Sequence, residues 1–443
     1  MTSKQPKTAK PAAEARRVCV IGAGYVGLPT AGVLSTRGHD VVLAERDERR
    51  LNMLLAGEMP IFEPGLDVLL AEGRAAGRLR YVPSAAEAVQ GCEFVFLCVP
   101  TPQGDDGAAD LSYVESAAAE IGPFLEPGTI VINKSTVPVG TVNLVERTIG
   151  RSDIAVVSNP EFLREGTAVT DSLHPDRIVV GSTDVRAATA VAELFGSTGA
   201  AMVITDPTTA ETIKYASNAF LATKISFINA MAALCEAVGA DVRDLVLGLG
   251  FDKRIGFEFL RPGPGWGGSC FPKDTSALVH IGMEHGYDFG LLRGAIACND
   301  EQIERMVHKL EVAAGGSLDG KTIGIWGLTF KADTDDRRNS PATAITAKVV
   351  ERGATVRAYD PTVSANDASS PDLAGVEIVT DPVEAARGAA VIGLLTEWQE
   401  FRWVDFDAVA ALMAAPSIVD ARNLLDPEAI RRQGFTYVGV GRT

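Results

Sequence analysis

Two α/β domains with doubly wound parallel sheets, joined by a helical segment with a long central helix, are the architecture this sequence predicts, on three observations. Between residue 18 and about 205, short β-branched runs alternate with amphipathic stretches. From 207 to about 248 strand character is lost and apolar residues recur at helical spacing. After Gly315, Gly316 and Gly320 a second, shorter alternating series begins. Such alternation signals parallel sheets covered by helices, because each return to a parallel neighbour needs a helix-length crossover.

In the first series the strand candidates are VCVIGAG, DVVLAE, FVFLCVP, TIVINKS, IAVVSNP and RIVVGS. TTAETIKYASNAFLATKISFINAMAALCEAVG then reads as one helix, with almost no breaker before Gly239, a C-cap candidate. RPGPGWGGSCFPKD, from Arg261 to Asp274, is too rich in glycine and proline for an element and reads as a shaped loop, with more helix beyond it to about 312. KTIGIWG, TVRAYDP, VEIVT, AAVIGLLT and SIVDAR are the strands of the second series. The resulting boundaries are a flexible tail at 1–17, a first domain at 18–206, a helical segment at 207–312 and a last domain at 318–443.

A chain of 443 residues is too long for one core. Its formal charge of −16 makes nucleic acid a poor partner, since phosphate backbones are held by Lys and Arg; an anionic small ligand needs a local basic cluster. Cys19, Cys92, Cys98, Cys235, Cys270 and Cys298 show no CxxC spacing, and the five histidines form no HxxxH pair, so neither disulfides nor a metal is expected. Lys4, Lys7, Lys10, Arg16 and Arg17 ahead of the apolar Val18–Ile21 mimic a signal peptide, but the run stops at Gly22. No membrane partner and a cytoplasmic location are the expectation.

Gly22, Gly24 and Gly27 form GxGxxG, enclosing Tyr25 and Val26, directly after a strand and before a helix. That placement gives a tight turn, backbone open to a pyrophosphate and a helix N-terminus with unpaired N–H groups, the parts of a Rossmann dinucleotide site. Glu45 closes the next strand, where a carboxylate accepts from ribose hydroxyls, which favours NAD; Arg46, Arg49 and Arg50 nearby keep NADP as the minority reading. Two loops at strand ends, CVPTP with Pro100 and Thr101, and STVP with Ser135 and Thr136, border the same end of the sheet, though each also reads as a proline-stiffened turn.

Cys270 sits among Gly, Ser and charged residues, just before Pro272, where a helix is expected to begin. A helix N-terminus and Lys273 raise the thiolate fraction that a nucleophile needs, and Asp274 is placed to hold a water or the lysine. The other five cysteines suit inert packing. Lys214 and Asn218, four apart, share a helix face and can stabilise an oxyanion, although by spacing alone a solvated face is the simpler explanation. NPEFLREG offers Glu161 and Glu165 after a strand; a carboxylate there can act as base toward water, with surface salt bridging as the alternative.

GAGYVGLP, CVPTP, STVPVGT, NPEFLREGTA, IKYASNAFLATKISFINAMAALCEAVGAD, PGPGWGGSCFPKD, FKADTDDRRNSP and LTEWQEF, in this order, resemble the UDP-glucose 6-dehydrogenase family from residue 18 to the C-terminus. The resemblance implies oxidation of UDP-glucose to UDP-glucuronate with two NAD and one water, through a thiohemiacetal and a thioester on Cys270. It further implies that Glu161 serves thioester hydrolysis, that Lys214 and Asn218 steady the oxygen at C6, and that Asp274 and Thr136 assist near the reacting carbon. By the same resemblance the sugar nucleotide is held by Glu161, Phe162, Leu163, Arg164 and Glu165, by Phe259, Arg261, Gly265, Trp266 and Gly267, and by Lys331 and Arg422. Arg254 matches an arginine given across a homodimer interface, and Arg50, Glu165, Lys273 and Arg338 approach the NAD. Three positions depart from the family: Glu45 stands for Asp, Trp266 for Tyr or Phe, and Ala421 for a glycine. The nearest alternative is a GDP-mannose 6-dehydrogenase with the same mechanism. A UDP-N-acetylmannosamine dehydrogenase fits GGSCFPKD less well, and a nucleotide binder without turnover does not account for Cys270, Lys214, Asn218 and Glu161 together.

Overall fold

The computed structural model describes residues 14–104 and 109–442. Most of the tail expected at 1–17 lies outside the described residues. The chain divides into two compact units: the first runs to Lys214 apart from a short segment that begins at Gln103, and that segment groups with Tyr215 onward in the second.

The first unit holds an eight-stranded sheet: β1 (Arg17–Ile21), β2 (Asp40–Ala44), β3 (Leu79–Val82), β4 (Phe94–Leu97), β5 (Ile130–Asn133), β6 (Ala155–Ser158), β7 (Arg177–Gly181) and β8 (Ala201–Thr205), in the order β3-β2-β1-β4-β5-β6-β7-β8. β1 shows why its apolar run is continuous. Val18 and Val20 enter a core with Leu28, Leu34 and Phe96, while Cys19 and Ile21 enter one with Val95, Leu97 and Val131. With both faces covered, alternation with polar residues has no place.

The fully parallel sheet expected here is corrected at one junction, because β6 meets β7 antiparallel, at Ser158 and Gly181. The link between them, 159–176, carries one short helix, Ala168–Leu173, and brings the chain back beside β6 in the opposite sense. β3 and β8, the two edge strands, add to the six strands expected from sequence.

The second unit holds β9 (Thr322–Trp326), β10 (Thr355–Tyr359), β11 (Val376–Ile378), β12 (Ala389–Leu394), β13 (Ser417–Asp420) and β14 (Thr436–Val438), all parallel, in the order β11-β10-β9-β12-β13-β14. The first six strands of the other sheet follow the same order. The likeness extends to backbone detail. Gly22, after β1, has φ 102° and donates to Ala44 O at 2.9 Å; Gly327, after β9, has φ 91° and donates to Tyr359 O at 2.8 Å. Ala23 N–H meets the Glu45 carboxylate at 2.9 Å, and Leu328 N–H meets Asp360 at 2.8 Å.

The long helix runs from Pro207 to Val238 and stops at Gly239, whose φ of 77° is the left-handed exit expected of it. Among the described residues it is the one helix long and apolar enough to cross a membrane, by length and composition. Its polar residues are nevertheless held by this chain. Ser226 Oγ donates to Ala295 O at 2.6 Å, and Asn229 Oδ1 accepts from Gly263 N–H at 2.8 Å. Such bonds suit a core helix of a folded protein. Helices Val242–Gly250, Phe271–Glu284 and Gly290–Ala313 complete the helical segment.

Candidate active site

In the first unit the glycine loop has the geometry that its motif requires. A Cβ on Gly22 would lie 2.5 Å from Cys98 O, and one on Gly27 only 1.9 Å from Gly22 O, so both positions exclude a side chain. Gly24 differs, because nothing lies within 4 Å of where its Cβ would point. Bare backbone facing open space, ahead of the uncapped helix Gly27–Thr36, is what a diphosphate needs, so these residues fit NAD. Buried Glu45 receives Ala23 N–H at 2.9 Å and Asp47 N–H at 2.8 Å, which fixes its carboxylate beside the loop. Of the arginines that kept NADP open, Arg46 lies over the Tyr113 ring at 5.5 Å, and the Arg50 residue is exposed.

The strand-end loops are pinned. Thr101 Oγ1 donates to Thr136 O at 2.8 Å, and Ser135 Oγ to Val99 O at 2.7 Å, so CVPTP and STVP form one tied pair, with Pro100 exposed. In NPEFLREG, the buried Glu161 carboxylate takes Lys214 Nζ at 2.8 Å and Leu163 N–H at 2.6 Å. Burial opposes its charge, but Lys214, the Leu163 N–H and Lys134 outweigh that and hold the carboxyl below its usual range. Glu161 is therefore ionised at neutral pH and able to accept a proton. Phe162 stacks under Arg177 at 3.7 Å and lies 5.4 Å from the Lys214 ammonium, whereas Arg164 turns outward to Asp171. Leu163 and Glu165 are half-buried.

Two residues that sequence reasoning passed over hold this region. Glu63 accepts Gly166 N–H at 2.7 Å and Ala168 N–H at 2.8 Å, securing the far end of NPEFLREG. Lys134 is buried and donates to Asn159 Oδ1 at 3.1 Å; desolvation pushes its ammonium pKa down.

In the second unit, Cys270 is the N-cap of helix Phe271–Glu284, with Pro272 one position later than expected, at the second helical residue. Its Sγ lies 3.5 Å from Ser269 Oγ. One turn along, fully buried Asp274 receives Asn218 Nδ2 at 2.6 Å on one oxygen and Lys273 Nζ on the other. Lysine is thus the partner, of the two that its position allowed. Four other thiols are disfavoured as thiolates by burial, which raises Cys92 to about 11 and Cys98 to about 12 and pushes Cys19 and Cys298 up as well.

The loop ahead of Cys270 is held by side chains from the long helix and from Gly290–Ala313. Asn299 accepts Trp266 N–H at 2.7 Å and donates back to Trp266 O at 3.0 Å, Gln302 donates to Gly263 O at 2.7 Å, and Trp266 Nε1 donates to Ser226 Oγ at 2.9 Å. A Cβ on Gly265 would press Asn299 at 2.9 Å, and one on Gly267 would meet Asn339 O at 2.0 Å. Phe259 holds a left-handed φ of 63°, uncommon for a bulky residue, and its ring lies 6.2 Å from that of Phe271. Arg422 donates to Leu395 O at 2.9 Å and to Phe330 O at 2.5 Å, and Lys331 lies 5.6 Å from the Phe330 ring. Arg338 pairs with Asp336 at the rim of a groove shared with Trp266, Pro272 and Thr275. Arg261 and Arg254 are exposed, the latter paired with Asp252 at 2.6 Å.

Models of the UDP-glucose/GDP-mannose dehydrogenase family match the chain in three blocks: the NAD binding domain over residues 16–198, the central domain over 208–301 and the UDP binding domain over 324–427. The chain belongs to the UDP-glucose/GDP-mannose dehydrogenase family. Similar relatives include a UDP-glucose 6-dehydrogenase of Rhizobium meliloti, 46% identical over 96% of this chain and 99% of its own, and one of Pseudomonas aeruginosa, 43% identical over 96% and 97%. Among solved structures, a UDP-glucose dehydrogenase from Pyrobaculum islandicum superposes with a TM-score of 0.89 at 35% identity, covering 98% of this chain and 100% of its own. As a member of this dehydrogenase family the chain is an NAD-dependent oxidoreductase, and its substrate is a nucleotide sugar. Gly27→Ala should weaken NAD binding at least about tenfold, or ~1.4 kcal/mol, read by calorimetric titration, because the added methyl collides with Gly22 O.

Proposed function

We propose that this chain is a UDP-glucose 6-dehydrogenase, converting UDP-glucose, two NAD and one water into UDP-glucuronate, two NADH and three protons. The observation that carries this reading is a cysteine at a helix N-terminus, one turn from the buried Asn218–Asp274 pair and its partner Lys273. The names of relatives that align along nearly the whole chain support the choice of sugar.

Bound NAD supplies the hydride acceptor, once for each oxidation. Lys214 and Asn218 steady the C6 oxygen, with Asp274 orienting Asn218. After C6 becomes an aldehyde, the Cys270 thiolate adds to it, giving a thiohemiacetal that still carries one transferable hydrogen. Loss of that hydrogen as hydride leaves a thioester. Glu161, charged and buried, draws a proton from water as the water attacks, and the C–S bond breaks to return the thiolate; Thr136 sits with the water. Gly22, Gly24, Tyr25, Val26, Gly27, Glu45, Arg50, Pro100, Thr101, Ser135, Glu165, Lys273 and Arg338 serve the cofactor. Phe162, Leu163, Arg164, Phe259, Arg261, Gly265, Trp266, Gly267, Lys331 and Arg422 serve the sugar nucleotide. In this division of labour 18–206 takes NAD, 318–443 takes the UDP-sugar, and 207–312 carries the cysteine and pairs two copies.

Support for a homodimer comes from the long helix, where Phe220, Phe227 and Leu234, seven residues apart, are 65, 51 and 50% exposed. Arg254 extends from the same unit, and the reading places the dimer in the cytoplasm.

Incubated with NAD and a panel of sugar nucleotides, the protein should form about two NADH per UDP-glucose, the number set by two hydride steps. Turnover of GDP-mannose with none of UDP-glucose would reverse the substrate assignment. Cys270→Ser should cut release of acid by at least ~10³-fold, followed by chromatography of UDP-glucuronate, since an alcohol is a far weaker nucleophile near neutral pH. Unchanged acid output would remove Cys270 from the mechanism. Phe227→Glu should convert dimer to monomer in light scattering coupled to gel filtration; a variant that stays dimeric places the interface elsewhere.

A further inference from the structure

Glu211 lies in the first turns of the long helix, and its residue is only 2% exposed. In the sequence it stands within TTAETIKYASN with no role assigned to it. Its two oxygens are both committed to one short stretch of backbone: Oε2 accepts Gly140 N–H at 2.7 Å and Oε1 accepts Val142 N–H at 3.0 Å. Those amides open the helix Thr141–Ile149, which continues directly from the STVP loop. Gly140 has no side chain to cap that helix, and its φ of 94° turns the chain from the loop into it.

Three residues further along the same helix, Lys214 holds Glu161 at 2.8 Å. Positions three apart share a helix face. One face of one helix therefore grips two separate loops, the one carrying Thr136 and the one carrying Glu161. We propose that Glu211 is a positioning residue for the reaction: by accepting two backbone N–H groups it sets the Thr136 loop in register with the Lys214–Glu161 pair.

The arrangement is sensitive to protons. Burial raises the Glu211 carboxyl to about 7; Asp206, at the start of the same helix, adds to the rise, and the Gly140 and Val142 amides offset part of it. Lys214, the nearest cation along the helix, is engaged by Glu161. Above this value the carboxylate accepts on both oxygens, and below it one oxygen carries a proton facing an N–H donor. The loop is thus held best on the alkaline side.

The inference rests on the dehydrogenase reading, and the test separates the two. In Glu211→Gln the amide offers one acceptor and sets an NH₂ group against the other N–H. With UDP-glucose and NAD, kcat should fall about tenfold, in keeping with the cost of a displaced reacting group, while KM for UDP-glucose stays within about twofold, as Glu211 is assigned no sugar contact. The fall in wild-type kcat below pH 7 should lose its inflection in this variant, and Glu211→Asp, which keeps a carboxylate, should recover part of the rate. Hydrogen exchange of the peptide 138–145 should accelerate in Glu211→Gln. Should Glu211→Gln not fold, Glu211→Asp carries the same measurements, with a displaced inflection and faster exchange expected. Wild-type pH profile and unchanged exchange in the variant that folds would overturn the inference. If wild-type protein ignores UDP-glucose, the functional reading fails, and exchange alone decides whether Glu211 holds the loop.

Discussion

A polar side chain buried on an apolar helix must find a partner inside the protein, and that requirement organises this molecule. Leaving one unsatisfied costs about 1–3 kcal/mol, and more if it is charged. The helix Pro207–Val238 carries several. Glu211 and Lys214 settle on loops of the first unit, and Asn218, Ser226 and Asn229 on the cysteine segment of the second. The groups most expensive to strand in an apolar helix are therefore the ones that hold these loops.

The same logic explains the cysteine loop. Glycine and proline make it irregular, and an irregular backbone leaves N–H and C=O groups without ladder partners. Asn299 and Gln302 supply those partners from one helix and Asn229 from another, while Ser226 takes the Trp266 indole N–H. Glycines at 265 and 267 let the chain pass close enough for this to work. Cys270 owes its fixed position at the head of a helix to that scaffold as much as to its own neighbours.

Most of the fold was legible in the sequence because buried strands leave dense apolar runs, as VCVI and FVFL do. β3 escaped because an edge strand is covered less: in LRYV, Arg80 is exposed and the run is broken. β8 is exposed along almost its whole length, and β14 has three residues. The candidate reacting groups could be named because their chemical types stand out within motifs. Their anchors could not. Glu63 meets Gly166 across 103 positions, and before folding nothing separates a carboxylate bound for the interior from one bound for the surface.

The two sheets share strand order, a glycine turn and a carboxylate that fastens it, yet they differ where it counts for the cofactor. Gly24 presents bare backbone to open space, whereas Thr329 holds the corresponding place after β9 and has its hydroxyl bonded to Asp360 at 3.2 Å. Among the described residues, one such dinucleotide berth exists per chain. For the proposed four-electron oxidation, both hydrides would pass through a single berth in succession, with spent carrier leaving and fresh carrier arriving between them. In that proposal the covalent tether to sulfur would let the exchange happen without losing the half-oxidised sugar.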